Sequence, residues 1–123
     1  GSLSIEIAFR AEPYQGPPHF QVFADKTLLG EGDITATRSM APHVLSLQSQ
    51  EDPAAIRIWF TNDLFEGFER DRNLIVVSIT INGRAIDLSK LQRRQNSIVW
   101  LDGEIEVASG EVPLEVLRPE EGW

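Results

Sequence analysis

The chain is 123 residues long and carries a formal net charge of −8, from 19 acidic and 11 basic side chains, with no cysteine. A single domain of that size buries a core without staples, and the lack of cysteine rules out disulfides and thiolate zinc sites. The acidic balance argues against nucleic acid, whose phosphates attract Lys/Arg-rich faces, and against anionic membrane surfaces.

Taken in order, Gly1-Ser2 reads as the remnant of a cleaved tag, so residues 1–3 are assigned to an N-terminal tail. The dominant pattern that follows has period two. Ile5, Ile7 and Phe9 alternate with Ser4, Glu6 and Ala8; Phe20, Val22 and Ala24 come next; Leu45 and Leu47 alternate with Ser46 and Gln48. Ile56, Ile58 and Phe60 alternate with Ala55, Arg57 and Trp59, and Leu74 to Ile81 is apolar on most of both faces. Ile105 and Val107 alternate with Glu104 and Glu106. Strand side chains point to opposite faces in turn, so each run reads as a strand with a buried face. Turn chemistry separates the runs at Gly16-Pro17-Pro18, Gly30-Glu31-Gly32-Asp33, Asp52-Pro53, Asn82-Gly83 and Asp102-Gly103. Asn82-Gly83 and Asp102-Gly103 are two-residue hairpin signals. Only Leu88 to Arg94 suggests a turn of helix. The pattern predicts an all-β chain, a β-sandwich or jelly roll of antiparallel strands. One domain is expected over residues 4–117, with 118–123 as a C-terminal tail or linker.

The segment between the strands ending at Phe60 and beginning at Leu74 is expected to be a loop, and it is unusually rich in oxygen donors. Asp63, Glu66, Glu69 and Asp71 fall within it, together with Asn62 and Asn73. Carboxylates this close repel one another unless positive charge lies between them. Arg70 and Arg72 offer that charge, and so does a metal ion. An all-oxygen set selects a hard cation such as Ca²⁺, and Asp63, Glu66, Glu69, Asp71 and Asn73 with backbone carbonyls make a sufficient set. No histidine is near in sequence, which counts against zinc. The spacing does not fit an EF-hand. Phe65 and Phe68 interrupt the acidic run, either to cover an apolar sugar face or to plug the core beneath. Trp59 alternates with the inward Ile58 and Phe60 and reads as outward-facing; Trp100, after Ile98-Val99, reads equally as core.

The run Phe60-Thr61-Asn62-Asp63, followed by Asp71-Arg72-Asn73-Leu74 and an apolar strand to Ile81-Asn82-Gly83, resembles the calcium-dependent xylan-binding carbohydrate-binding modules of families 36 and 60. Arg10-Ala11, Phe20-Gln21-Val22 and Ile34-Thr35-Ala36 extend the resemblance to residues 4 to about 84. The resemblance implies a non-catalytic module that binds xylan or another β-linked polysaccharide through sugar hydroxyls that complete the shell of a loop-bound Ca²⁺. Asp63 matches the aspartate of the family's N-D pair; the second ligand is Asp71 by one register and Asn73 by another. The expected sugar contacts are Asp63, Phe65, Phe68, Arg72 and Trp59. A secreted bacterial setting, fused to a catalytic domain of a polysaccharide-active enzyme, follows from the same resemblance.

Nothing in the residues points to catalysis. His19 and His43 lie in no nucleophile or metal motif, and there is no G-x-S-x-G elbow, P-loop or dinucleotide fingerprint. Glu104 and Glu106, which a glycosidase reading would seize on, read as a solvated strand face. The competing expectation is a structural or protein-interaction sandwich in which calcium only stiffens a loop.

Overall fold

The computed structural model describes residues 2–95, 102–108 and 112–123. Among these, the alternating runs form β1 (Leu3–Glu12), β2 (His19–Ala24), β3 (Thr27–Asp33), β4 (His43–Ser49) and β5 (Ala55–Phe60). They are followed by β6 (Leu64–Gly67), β7 (Arg70–Ile81), β8 (Arg84–Ala85), the helix α1 (Leu88–Gln95), β9 (Ile105–Glu106) and β10 (Leu114–Leu117). The strands form two antiparallel sheets, one ordered β4-β1-β7-β6 with β8 and β9 also on β7, the other β10-β5-β2-β3. This is the sandwich that the period-two pattern predicts.

The inward rows of both sheets make one core. Ile5, Ile7, Phe9 and Ala11 of β1 and Leu74, Val76, Ile79 and Ile81 of β7 face Phe20, Val22, Ile56, Ile58 and Phe60 of the other sheet. Phe9 and Phe20 stack across the interior with ring centroids 4.8 Å apart, tying β1 to β2. Asn82 and Gly83 both have positive φ, at 51° and 78°, and join Ile81 to Arg84 in the tight turn that their chemistry signalled. Leu88 and Leu91 of α1 bury against the core.

A bulge decides which face the site occupies. Ala8 pairs with Ser78 but Phe9 pairs with Val76, so Val77 is extra on β7. Below the bulge the odd residues Ile79 and Ile81 point inward; above it the even residues Leu74 and Val76 do. One extra residue thus turns Asp71 and Asn73 to the outer face, where an unbroken strand would bury them.

Three segments differ from expectation. Gly30 to Asp33 is not a turn but part of β3, with Gly30 opposite Val22 and Gly32 opposite Phe20. Close approach explains the first of these glycines: a Cβ on Gly30 would meet Leu47 Cδ2 at 3.0 Å, whereas one on Gly32 would make only an ordinary contact with the Phe20 ring at 3.5 Å. Residues 64–72 are not an irregular loop but a β-hairpin. Residues 118–123 are docked: Arg118 donates to the carbonyls of Ala54 and Asp52, and Trp123 Nε1 donates to Pro53 at 2.8 Å. Trp100 and the residues before Asp102-Gly103 lie outside the described residues.

Candidate functional site

Cross-strand pairing gathers acids on the outer face of the first sheet. Glu12 of β1 pairs with Asn73 of β7, and Ile75, two residues on, pairs with Glu106 of β9. Directly opposed residues on one face have Cβ atoms about 5 Å apart, so Glu12, Asp71, Asn73 and Glu106 come together although they stand far apart in the chain. Asn73 Nδ2 donates to Glu12 Oε1 at 2.8 Å and to Asp71 Oδ2 at 3.0 Å. It therefore sits between the two carboxylates, shielding their repulsion.

The hairpin beside this cluster is held by its own scaffold. Leu64 pairs with Arg72 and Phe65 with Asp71; a register shift follows, and Gly67 pairs with Arg70. Asn62 anchors its base: Oδ1 accepts from the His19 amide at 2.7 Å and Nδ2 donates to the Pro17 carbonyl at 3.1 Å. Arg72 points away from Asp71 and Asn73 and clamps the end of the sandwich. Its Nη1 donates to the Asn62 carbonyl at 2.7 Å and its Nη2 to that of Gln15 at 2.6 Å, while Nε reaches the carbonyls of Tyr14 and Gly16 at 3.0 and 3.2 Å. The planar fork explains the choice of arginine, because a lysine cannot address several carbonyls at once. Asp63 follows directly on this doubly anchored Asn62 and is exposed.

The electrostatics single out Glu106. Burial, then the charges of Glu12 and Asp71, push its carboxyl up from 4.5 to about 7, with Asp63 adding to the rise and Arg38 opposing it. Four carboxylates from three parts of the chain, Glu12, Asp63 with Asp71, and Glu106, therefore share one field. Beside them lies a cationic buttress. Arg10 is ion-paired with the buried Glu104, and Arg38 lies 3.6 Å from Glu104 and 3.9 Å from Glu12. Burial raises the Glu104 carboxyl as well. The expectation that Glu104 and Glu106 form a solvated face is thus overturned: Glu104 is buried against arginine and Glu106 belongs to the acidic cluster.

Of the five residues expected to hold a metal, the structure joins Asp71 and Asn73 by a hydrogen bond, leaves Asp63 exposed and linked to them only through its charge on Glu106, and separates the other two. Glu66 sits at the hairpin's register shift and accepts the Tyr14 hydroxyl at 2.5 Å, which raises the tyrosine pKa. Glu69 lies exposed in the turn at the tip. Glu12 and Glu106 were missed, because only the β1–β7 and β7–β9 registers make them neighbours of Asn73; no local pattern carries that information. As placed among the described residues, no three Asp, Glu or His side chains converge tightly enough to close on an ion. The Asn73 amide nitrogen bridges Glu12 and Asp71. Rotating that amide exchanges a donor for an oxygen acceptor.

Phe65 and Phe68 do not plug the core; they are 63% and 102% exposed on the hairpin. Trp59 stands elsewhere, on the outer face of the second sheet, among Gln21, Phe23 and Arg57. Arg72, expected among the sugar contacts, has its guanidinium engaged by backbone carbonyls.

Comparison with known proteins bears on this arrangement. A family model described as CBM60, a Ca-dependent xylan-binding carbohydrate-binding module, matches residues 4–95. The solved structure of vCBM60 in complex with galactobiose aligns with a TM-score of 0.55 at 18% identity, covering 92% of this chain and 99% of that one. The selenomethionine form of vCBM60 aligns with a TM-score of 0.56 at 18% identity, covering 91% of this chain and 89% of that one. The latter structure accompanies a description of circular permutation as a link between two families of calcium-dependent carbohydrate-binding modules. No curated protein matches the chain.

Proposed function

The chain belongs to the family 60 carbohydrate-binding modules, and we propose that it grips a neutral polysaccharide through a Ca²⁺ ion held by Asp63, Asp71, Glu12 and Glu106, with Asn73 turned to offer its oxygen. The observation that carries this reading is the gathering of Glu12, Asp71 and Asn73 on one outer face, hydrogen-bonded through the Asn73 amide, with Glu106 brought beside them by the β7–β9 register. Every candidate donor is oxygen, which suits a hard cation, and mutual carboxylate repulsion is what a divalent ion relieves. Calcium bound there supplies open coordination positions that accept two adjacent sugar hydroxyls in place of water. The protein's own residues do the rest. Arg72 and Asn62 hold the Asp63 backbone in place, Asp71 comes from the same hairpin, and Phe65 and Phe68 offer exposed rings for the apolar faces of neighbouring sugar units. Glu66 and Glu69 lie farther along the hairpin and form a negative outer margin.

Xylan is the first candidate ligand, from the family description; galactan is the second, since vCBM60 was solved with galactobiose. The module's setting, in this reading, is extracellular, where calcium is abundant enough for sites with dissociation constants of about 10⁻⁴–10⁻³ M, and it serves as a non-catalytic accessory to a polysaccharide-active enzyme. Affinity electrophoresis in xylan and galactan gels tests the proposal. Retardation in calcium that a chelator abolishes supports it; a calcium-induced rise in melting temperature with no retardation in any gel would favour a purely structural ion.

Glu106 supplies a second check. Its native pKa of about 7 lies above the ordinary 4.5, so the folded state binds the proton more tightly than the unfolded state does. Calcium-free stability from this group is therefore greatest at low pH and falls as pH rises through about 7. Glu106→Gln is expected to flatten that slope, raise calcium-free stability near pH 8, and weaken calcium binding. Urea unfolding at about pH 5.5 and about pH 8, with and without calcium, reads all three.

A further inference from the structure

We infer a second glycan-contact surface, independent of calcium, on the outer face of the four-stranded sheet, where Trp59 and Phe23 floor a shallow depression of about 550 Å³. Phe20, Val22 and Ala24 of β2 and Ile56, Ile58 and Phe60 of β5 are buried in the core. The residues between them therefore point away from it. The register sets Gln21 opposite Trp59 and Phe23 opposite Arg57. Trp59 and Phe23 are thus diagonal neighbours on one face, within reach of each other and of one short oligosaccharide.

The chemistry of the lining selects the occupant. Arg57 Nε is paired with Glu115 at 2.8 Å, and Asp25 accepts the amides of Ala54 and Ala55 at 3.1 Å. Arg57 is thus charge-paired and Asp25 hydrogen-bonded to the backbone, leaving an aromatic floor and a polar rim, with Gln21 and Lys26 as hydrogen-bond donors. A neutral pyranose chain matches that combination, with apolar C–H faces for the rings and hydroxyl oxygens for the donors. A charged macromolecule finds no like-signed stripe there to pair with. The acidic cluster lies on the outer face of the other sheet, across the core. One module can then touch two chains, or two parts of one chain, and gain from the higher effective concentration.

This inference rests on the chain being a glycan binder but not on its calcium, and one experiment separates the two. Wild type, Asp63→Ala, Trp59→Ala and Phe23→Ala are run in xylan, galactan and β-glucan gels, in calcium and in chelator. Wild type and Asp63→Ala are expected to keep a residual retardation in chelator, which Trp59→Ala and Phe23→Ala weaken about tenfold, the loss of one good aromatic contact. In calcium, Trp59→Ala should still be retarded through the hairpin, which also shows that it is folded. Independently of any variant, xylohexaose added in chelator should shift the Trp59 indole N–H resonance of the wild type. Complete release of the wild type by chelator, or residual retardation untouched by both aromatic variants, or an unmoved indole resonance, overturns the second surface while leaving the calcium reading intact. No retardation of the wild type in either condition overturns both.

Discussion

Asp63→Ala is expected to abolish calcium-dependent retention on glycan while leaving the fold in place. Asp63 is exposed and lies outside the core, so removing its side chain exposes no cavity. Its carboxylate does act on the acidic cluster, helping to raise Glu106. Losing it should make the calcium-free protein slightly more stable, because one repelling charge is gone. The same change removes one of the charged ligands proposed for calcium, and calcium affinity follows the number of charged ligands. We expect a fall of about 100-fold in calcium affinity, by analogy with losses at metal sites. Asp63→Asn keeps size and one oxygen but not the charge, and should fall between. Calorimetry with calcium, with affinity gels in parallel, reads the effect. Full retention of Asp63→Ala in calcium would sink the assignment of this residue.

Arg72→Ala is the variant expected to cost most in stability. The guanidinium holds four backbone carbonyls, those of Tyr14, Gln15, Gly16 and Asn62. Removing it strands acceptors at the closed end of the sandwich and frees the connection between β1 and β2. Several charge-assisted hydrogen bonds lost together amount to about 2–4 kcal/mol, or a melting temperature lower by about 10 °C for a domain of this size. Arg72→Lys should recover little, since an ammonium cannot reproduce the fork. Glycan retention should drop with it, through Asn62 and the Asp63 that follows, and saturating calcium should restore part of both. A lysine variant as stable as wild type would show that charge alone, not the forked geometry, is what this position requires.

Much of the fold is legible locally. Ile5, Ile7 and Phe9, or Ile56, Ile58 and Phe60, alternate because one face of each strand is buried, and that period survives into the structure. Asn82-Gly83 makes its turn because asparagine and glycine tolerate positive φ. Gly30 and Gly32 mislead because a residue without a side chain reads as a turn, but here both lie in an edge strand, which Gly30 lets pass close to Leu47. The hairpin of β6 and β7 escapes notice because β6 has only four residues and the end of β7 that it pairs with, Arg70 to Arg72, is charged.

The candidate site divides along the same line. Asp63, Asp71 and Asn73 stand out in the amino-acid order because carboxylates and amides crowd one connection, and crowding of like charges is a local fact. Glu12 and Glu106 do not stand out, since each looks like an ordinary polar residue at the outward position of a strand. The bulge at Val77 and the pairing of β7 with β1 and β9 set Glu12 opposite Asn73 and Glu106 opposite Ile75, two residues along the same strand. The assembled sandwich likewise turns Arg72 toward backbone carbonyls and sets Trp59 on the far sheet. Periodicity and composition specify which residues are buried and which connection is electrostatically strained. Which distant side chains share a face depends on strand register, a long-range choice made only when the whole core packs.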